Sequence, residues 1–158
     1  MLDTDYIKKR KGANGKNIRR WEAGVDDRDF AISALSIFEV SRGIALKQKS
    51  DAALARTLQE GLDLLRVSYA GRIIPVDEEV AEIWGQVAGS DRSQWIDRGL
   101  VATAIRHGLI LLSCNSNDTK GLGAEVINPE REKVGHWSAD GTDISGPAAK
   151  PSSGAPTG

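Results

Sequence analysis

Cysteine and histidine are scarce in this chain: Cys114 stands alone, and the two histidines, His107 and His136, lie far apart. One cysteine cannot close an intramolecular disulfide, and the set lacks the Cys/His spacing of a structural zinc site. Long apolar runs are missing as well. No stretch approaches the roughly 20 residues needed to span a bilayer. Residues Met1 to Asp5 run into Lys8, Lys9, Arg10 and Lys11 without a signal-type apolar region. The expectation is a cytoplasmic protein that does not associate with membranes.

An overall excess of positive charge is also absent, since the formal net charge is −1. The distribution is uneven, however. Residues 1–20 carry seven Lys/Arg against two acids, whereas residues 21–129 carry eleven against sixteen. A basic flank beside an acidic centre suits a site where acids hold a cation and the flank attracts phosphate. The plainer reading of Lys8 to Lys11 is a solvated helix face.

What the chain does have is enough apolar material for one core: 158 residues, 40% of them hydrophobic. Apolar periodicity stops near residue 130. From Ser138 the sequence is almost wholly Gly, Ser, Pro, Ala, Thr and charged residues. The expected organisation is one domain over 1–129 and a disordered tail over 130–158. Short strand-like runs occur at Phe30 to Leu35, Arg72 to Val76 and Leu109 to Ser113, with a fourth at Ala124 to Ile127. Helical spacing links Leu54, Leu58, Leu62 and Leu65, and also Val80, Ile83, Trp84 and Val87 behind a capping Asp77. Leu100, Ala104 and Val101, Ile105 form two adjacent helical stripes. Apolar strands alternating with helices predict an α/β/α domain of three layers around a mostly parallel central sheet.

In such sheets functional groups gather beyond the carboxyl ends of the strands. Asp3, Glu39, Asp97, Asn115 and Asp118 all fall at such boundaries. Oxygen ligands from four separate segments suit a hard cation such as magnesium. Each residue has another reading. Asp3 is a helix N-cap, with Asp5 a solvated acid behind it. Ser36-Ile37-Phe38-Glu39 reads as a capping box, serine at N-cap and glutamate at N3. Asp97, flanked by apolar residues, pairs with Arg98 or Arg42. Asn115 and Asp118 form an Asx-turn after a strand.

Taken together the segments resemble the PIN-domain family in its VapC/FitB toxin branch. Leu2-Asp3-Thr4-Asp5 resembles the opening Leu-Asp-Thr-Asn, and Ile32 to Ile44, through Glu39, Arg42 and Gly43, resembles the second motif. Arg72 to Asp77 and Ile83-Trp84-Gly85 resemble the segment joining the halves. Asp97 to Ala104 followed by His107-Gly108-Leu109 resembles Asp-x-x-Ile-Ala-Ala-Thr-Ala, and Leu112-Ser113-Cys114-Asn115-x-x-Asp118 resembles Val-Thr-Arg-Asn-x-x-Asp-Phe. Val126-Ile127-Asn128-Pro129 resembles the usual ending. The order and spacing of these motifs cover residues 1 to about 129.

The resemblance implies a ribonuclease that hydrolyses RNA phosphodiester bonds with Mg2+ or Mn2+. It places metal ligands at Asp3, Glu39, Asp97 and Asp118, with Asn115 also in the catalytic set. Thr4, Ser36 and Arg42 are the implied substrate contacts. It further implies a VapB-like antitoxin as partner and a homodimer. The chain departs from the pattern in its short first strand, its short Trp84 to Asp97 stretch, Cys114 in place of arginine and Thr119 in place of phenylalanine. These departures leave open a PIN fold that binds antitoxin or RNA without cutting. A third reading compares Asp3-Thr4-Asp5 and Leu111-Leu112-Ser113 with haloacid-dehalogenase-type phosphotransferases, where Asp3 would be nucleophile and Asp5 acid/base. Ile7 stands where that family prefers threonine or valine, and no later strand ends in an acidic pair.

Overall fold

The computed structural model describes residues 1–12, 15–115, 119 and 121–131. Its helices are α1 (Thr4–Lys11), α2 (Lys16–Glu22), α3 (Ala34–Gln48), α4 (Ala52–Ser68), α5 (Glu78–Val87) and α6 (Trp95–His107). The strands are β1 (Ile32–Ser33), β2 (Ile73–Ile74), β3 (Leu111–Leu112) and β4 (Val126–Ile127). β1 pairs with β2 and β3 with β4, both in parallel. Leu2 forms parallel bridges to Ile32 on one side and Leu112 on the other. It thereby joins the two pairs into one parallel sheet, ordered β2-β1-Leu2-β3-β4. The junction is held by Leu2 N–H to Ala31 C=O at 2.8 Å, Leu112 N–H to Met1 C=O at 2.8 Å and Asp3 N–H to Leu112 C=O at 3.0 Å.

Strand side chains alternate between faces, and the packing follows that period of two. Leu2, Ile32, Leu112 and Ile127 share one apolar cluster with Tyr6 and Ile7 of α1, Ile18 and Trp21 of α2, and Tyr69. Their strand neighbours Met1 and Leu111 share another with Leu35 of α3 and Leu100, Val101 and Ala104 of α6, with Ile74, Val126 and Trp84 of α5 packed against it. Helices on both faces of a parallel sheet make the three-layer α/β/α arrangement that the sequence predicts. Ile44, Ala55 and Leu62 form a smaller cluster joining α3 and α4. Among the described residues, no helix is long and apolar enough to cross a membrane.

Local chemistry explains several boundaries. Asp77 caps α5 by accepting from Val80 N–H at 2.8 Å, as its position predicts. Gly108 closes α6 in the left-handed region at φ 59°, a conformation that favours glycine. Gly99 has a different reason to be glycine. A Cβ there would sit 2.5 Å from Leu35 Cδ1 and 2.8 Å from Trp84 Cε2, so its absence lets α6 approach α3 and α5. At the opposite end of the sheet Arg72 donates to the carbonyls of Asp27, Phe30 (2.8 Å) and Ser68 (2.7 Å) and lies over the Tyr69 ring.

Two expectations need correction. The second strand does not run from Phe30 to Leu35, because α3 already begins at Ala34. The capping box at Ser36 and Glu39 does not form either. Ser33 is the N-cap, accepting from Leu35 N–H at 3.1 Å, which places Ser36 inside the first turn. Sheet pairing at Ser33–Ile74 fixes where the strand stops, and the helix starts immediately after it.

Candidate metal and phosphate site

Asp3 leaves the central position of the sheet at its carboxyl end and caps α1. Its backbone is extended (φ −73°, ψ 155°), and its Oδ1 accepts from Asp5 N–H at 3.3 Å. The carboxylate is buried, only 6% exposed. Its other oxygen, Oδ2, accepts from Ser113 Oγ at 2.7 Å. Ser113 follows β3, the strand adjacent to Leu2, and its hydroxyl in turn accepts from Asn115 N–H at 3.1 Å. This bond spans the point where chain order reverses in the sheet, the usual place for a ligand crevice in open α/β folds.

Electrostatics at Asp3 are unfavourable for an isolated anion. Burial, the largest influence, pushes its carboxyl above the ordinary range; the hydrogen bonds from Ser113 and Asp5 N–H oppose this, while the charges of Asp5 and Glu39 raise it further. No described cationic side chain pairs with Asp3 or Glu39. Two buried hydroxyls lie on the same segments: Thr4 Oγ1, next to Asp3, and Ser36 Oγ, one turn before Glu39, make no hydrogen bond among the described residues. A buried carboxylate lacking a cation, a second acid close enough to perturb it, and oxygen-only neighbours fit a hard divalent ion, which needs only one or two carboxylates beside its waters.

The structure places the expected residues as follows. Asp3 and Glu39 come together to the extent that one charge perturbs the other. Glu39 is half-buried on α3, and Arg42 lies exposed one turn further along. Asp97 is half-buried in the first turn of α6, where the helix dipole favours an acid. Its neighbour Arg98 donates to Val87 C=O at 2.7 Å and to Gln94 Oε1 at 3.0 Å. Asn115 is exposed after β3, and Asp118 lies outside the described residues. Among the described residues no group of three or more His, Cys, Asp or Glu side chains is placed to hold a metal ion.

Two residues that support the site escaped the sequence reading. Ser113 donates its hydroxyl to Asp3, and its signal was a polar residue directly ending an apolar strand. Asn128 donates to Cys114 C=O at 3.1 Å and accepts from Glu130 N–H at 3.0 Å, bracing the turn after β3. The Ile127-Asn128-Pro129 ending carried that signal.

Comparison with known proteins agrees with this architecture. The family model described as PIN domain matches residues 5–120. Toxin FitB of Neisseria gonorrhoeae (strain ATCC 700825 / FA 1090) is 26% identical over 137 residues, spanning 82% of this chain and 96% of that protein. The crystal structure of FitAcB from Neisseria gonorrhoeae matches with a TM-score of 0.69 at 27% identity, covering 83% of this chain and 98% of that one. The structure of FitAB bound to an IR36 DNA fragment has the same fold, with a TM-score of 0.71 at 24% identity over 84% of this chain and 96% of that one. With its parallel sheet, its buried aspartate at the switch point and a family match over most of its length, the chain belongs to the PIN-domain family, in its VapC/FitB branch.

Proposed function

We propose that this chain is the toxin of a toxin–antitoxin pair: a cytoplasmic ribonuclease that hydrolyses RNA phosphodiester bonds with Mg2+ or Mn2+. The observation that carries the reading is Asp3, a buried carboxylate at the sheet's switch point with no cationic partner among the described residues. Asp3 and Glu39 would hold the ion, with Asp97 and Asp118 completing its surroundings and Asn115 beside them. When bound, such an ion supplies an activated water and charge for the leaving oxygen.

The chain's own groups do the rest. Ser113 and Asp5 N–H fix both oxygens of Asp3, so the carboxylate presents its remaining lone pairs in one orientation. The buried hydroxyls of Thr4 and Ser36, without a hydrogen-bond partner among the described residues, would donate to a phosphate oxygen that enters beside Asp3. Arg42, exposed one turn beyond Glu39, would meet the next phosphate. The relatives solved as FitAB and FitAcB support a second protein as regulator, a VapB-like antitoxin; a homodimer is part of the same proposal.

The test is incubation of a mixed RNA pool with the protein in magnesium and in chelator, beside Asp3→Asn. Cleavage that needs the metal and vanishes in the variant is the expected result. The second reading, a PIN fold that binds antitoxin or RNA without cutting, draws on the lack of a three-acid group among the described residues. Intact RNA under both conditions would establish it instead.

A further inference from the structure

We propose that the outward face of α2 is a landing surface for single-stranded RNA, which runs from it along α1 to the carboxylate at Asp3. The inference rests on the ribonuclease reading and adds a path for the substrate. Ile18 and Trp21 turn one side of α2 into the core. Lys16, Arg19 and Arg20 stand exposed on the opposite side. Most other cations of this region are already engaged. Lys8 pairs with Asp5, Lys9 with Glu130 and Arg10 with Glu22. Arg19 donates to Arg10 C=O at 2.8 Å and Gly12 C=O at 3.3 Å, holding α2 against the end of α1. No described carboxylate pairs with Lys16 or Arg20, so these two charges remain for a polyanion.

Geometry connects this face to the site. Asp3 caps the first turn of α1, and Arg19 binds its last carbonyls. An eight-residue helix is about 12 Å long, the reach of a few nucleotides of one strand. The face itself belongs to one seven-residue helix, and its two unpaired cations lie four residues apart, about one helical turn, within reach of one phosphate chain.

The experiment is binding of a fluorescein-labelled twelve-residue oligouridylate in chelator, so that no cleavage is required, over 50 to 200 mM salt. Lys16→Gln combined with Arg20→Gln removes two contacts. The slope of log K against log salt should flatten by about 1.4, and the affinity advantage of the wild type should shrink about sevenfold across that range. Lys16→Arg with Arg20→Lys keeps the charges and should behave as wild type, which separates lost charge from damaged structure. An unchanged slope in the double glutamine variant overturns the proposal. So does a variant that binds RNA normally but loses binding to polyglutamate, because the face would then serve an acidic protein segment. A protein that binds oligouridylate through these residues yet cuts nothing would sink the nuclease reading and leave this surface standing.

Discussion

Ser113 Oγ and Asp3 Oδ2 lie 2.7 Å apart although 110 positions separate the two residues. The bond closes the site across the centre of the sheet. Ser113→Ala removes the donor to a buried Asp3 oxygen and the acceptor of Asn115 N–H. A stability loss of about 1–3 kcal/mol is expected in chemical denaturation, together with weaker metal-dependent cleavage. Ser113→Thr keeps the hydroxyl and should recover most of both. Cleavage unchanged in Ser113→Ala would show that Asp3 needs no such support.

Asp3→Asn should abolish cleavage and stabilise the metal-free protein at neutral pH. Asn still caps a helix well, so the local fold is preserved. The sign follows from Asp3's raised carboxyl. A group that binds its proton more tightly when folded contributes stability that is fully present below its unfolded pKa, near 3.8, and is lost as pH rises through the higher folded value. The variant's gain in Tm should therefore be present at pH 7 and disappear below about pH 4. A variant less stable than wild type at pH 7 would contradict this account.

Gly99→Ala inserts a methyl group against the Trp84 ring and Leu35, which must give way. Overpacking of this kind costs about 1–3 kcal/mol. Since Asp97 lies two residues earlier on the same helix, the substitution should also reduce cleavage at temperatures where the protein stays folded. Thermal melts and an assay well below the midpoint check the two parts separately.

Removal of residues 138–158 should leave the melting temperature and cleavage unchanged. All three apolar clusters draw on residues no later than Ile127. A drop of more than a few degrees, or lost antitoxin binding, would show that this segment contributes to the domain.

Much of this was legible in sequence, for identifiable reasons. Alternation and helical spacing are local signals, so β2, α4, α5 and α6 could be placed from Ile73–Ile74, Leu62, Val80 and Leu100 without tertiary knowledge. Ser36 misled because Ser33, three residues earlier, is an equally good cap, and only the strand pairing at Ser33–Ile74 decides between them. Helix α1 was marked only by its cap, Asp3, and the charged face from Lys8 to Lys11, and α2 was not marked out, since it is short and its buried Ile18 and Trp21 stand among charges. Asp3 was legible as a cap and as a candidate ligand, and it is a cap in fact. Its perturbation by Glu39 and its bond to Ser113 depend on three strands meeting, which no local pattern encodes.

The one-residue seam at Leu2 also bears on timing. During synthesis the first carboxylate of the site leaves the ribosome long before β3, the strand whose following serine positions it. Leu2 has β1 to pair with early, but its other neighbour arrives only after residue 111. Until then Asp3 is an ordinary solvated acid on an unfinished sheet edge. Asp3 therefore reaches the buried setting that raises its carboxyl only once β3 has paired with Leu2.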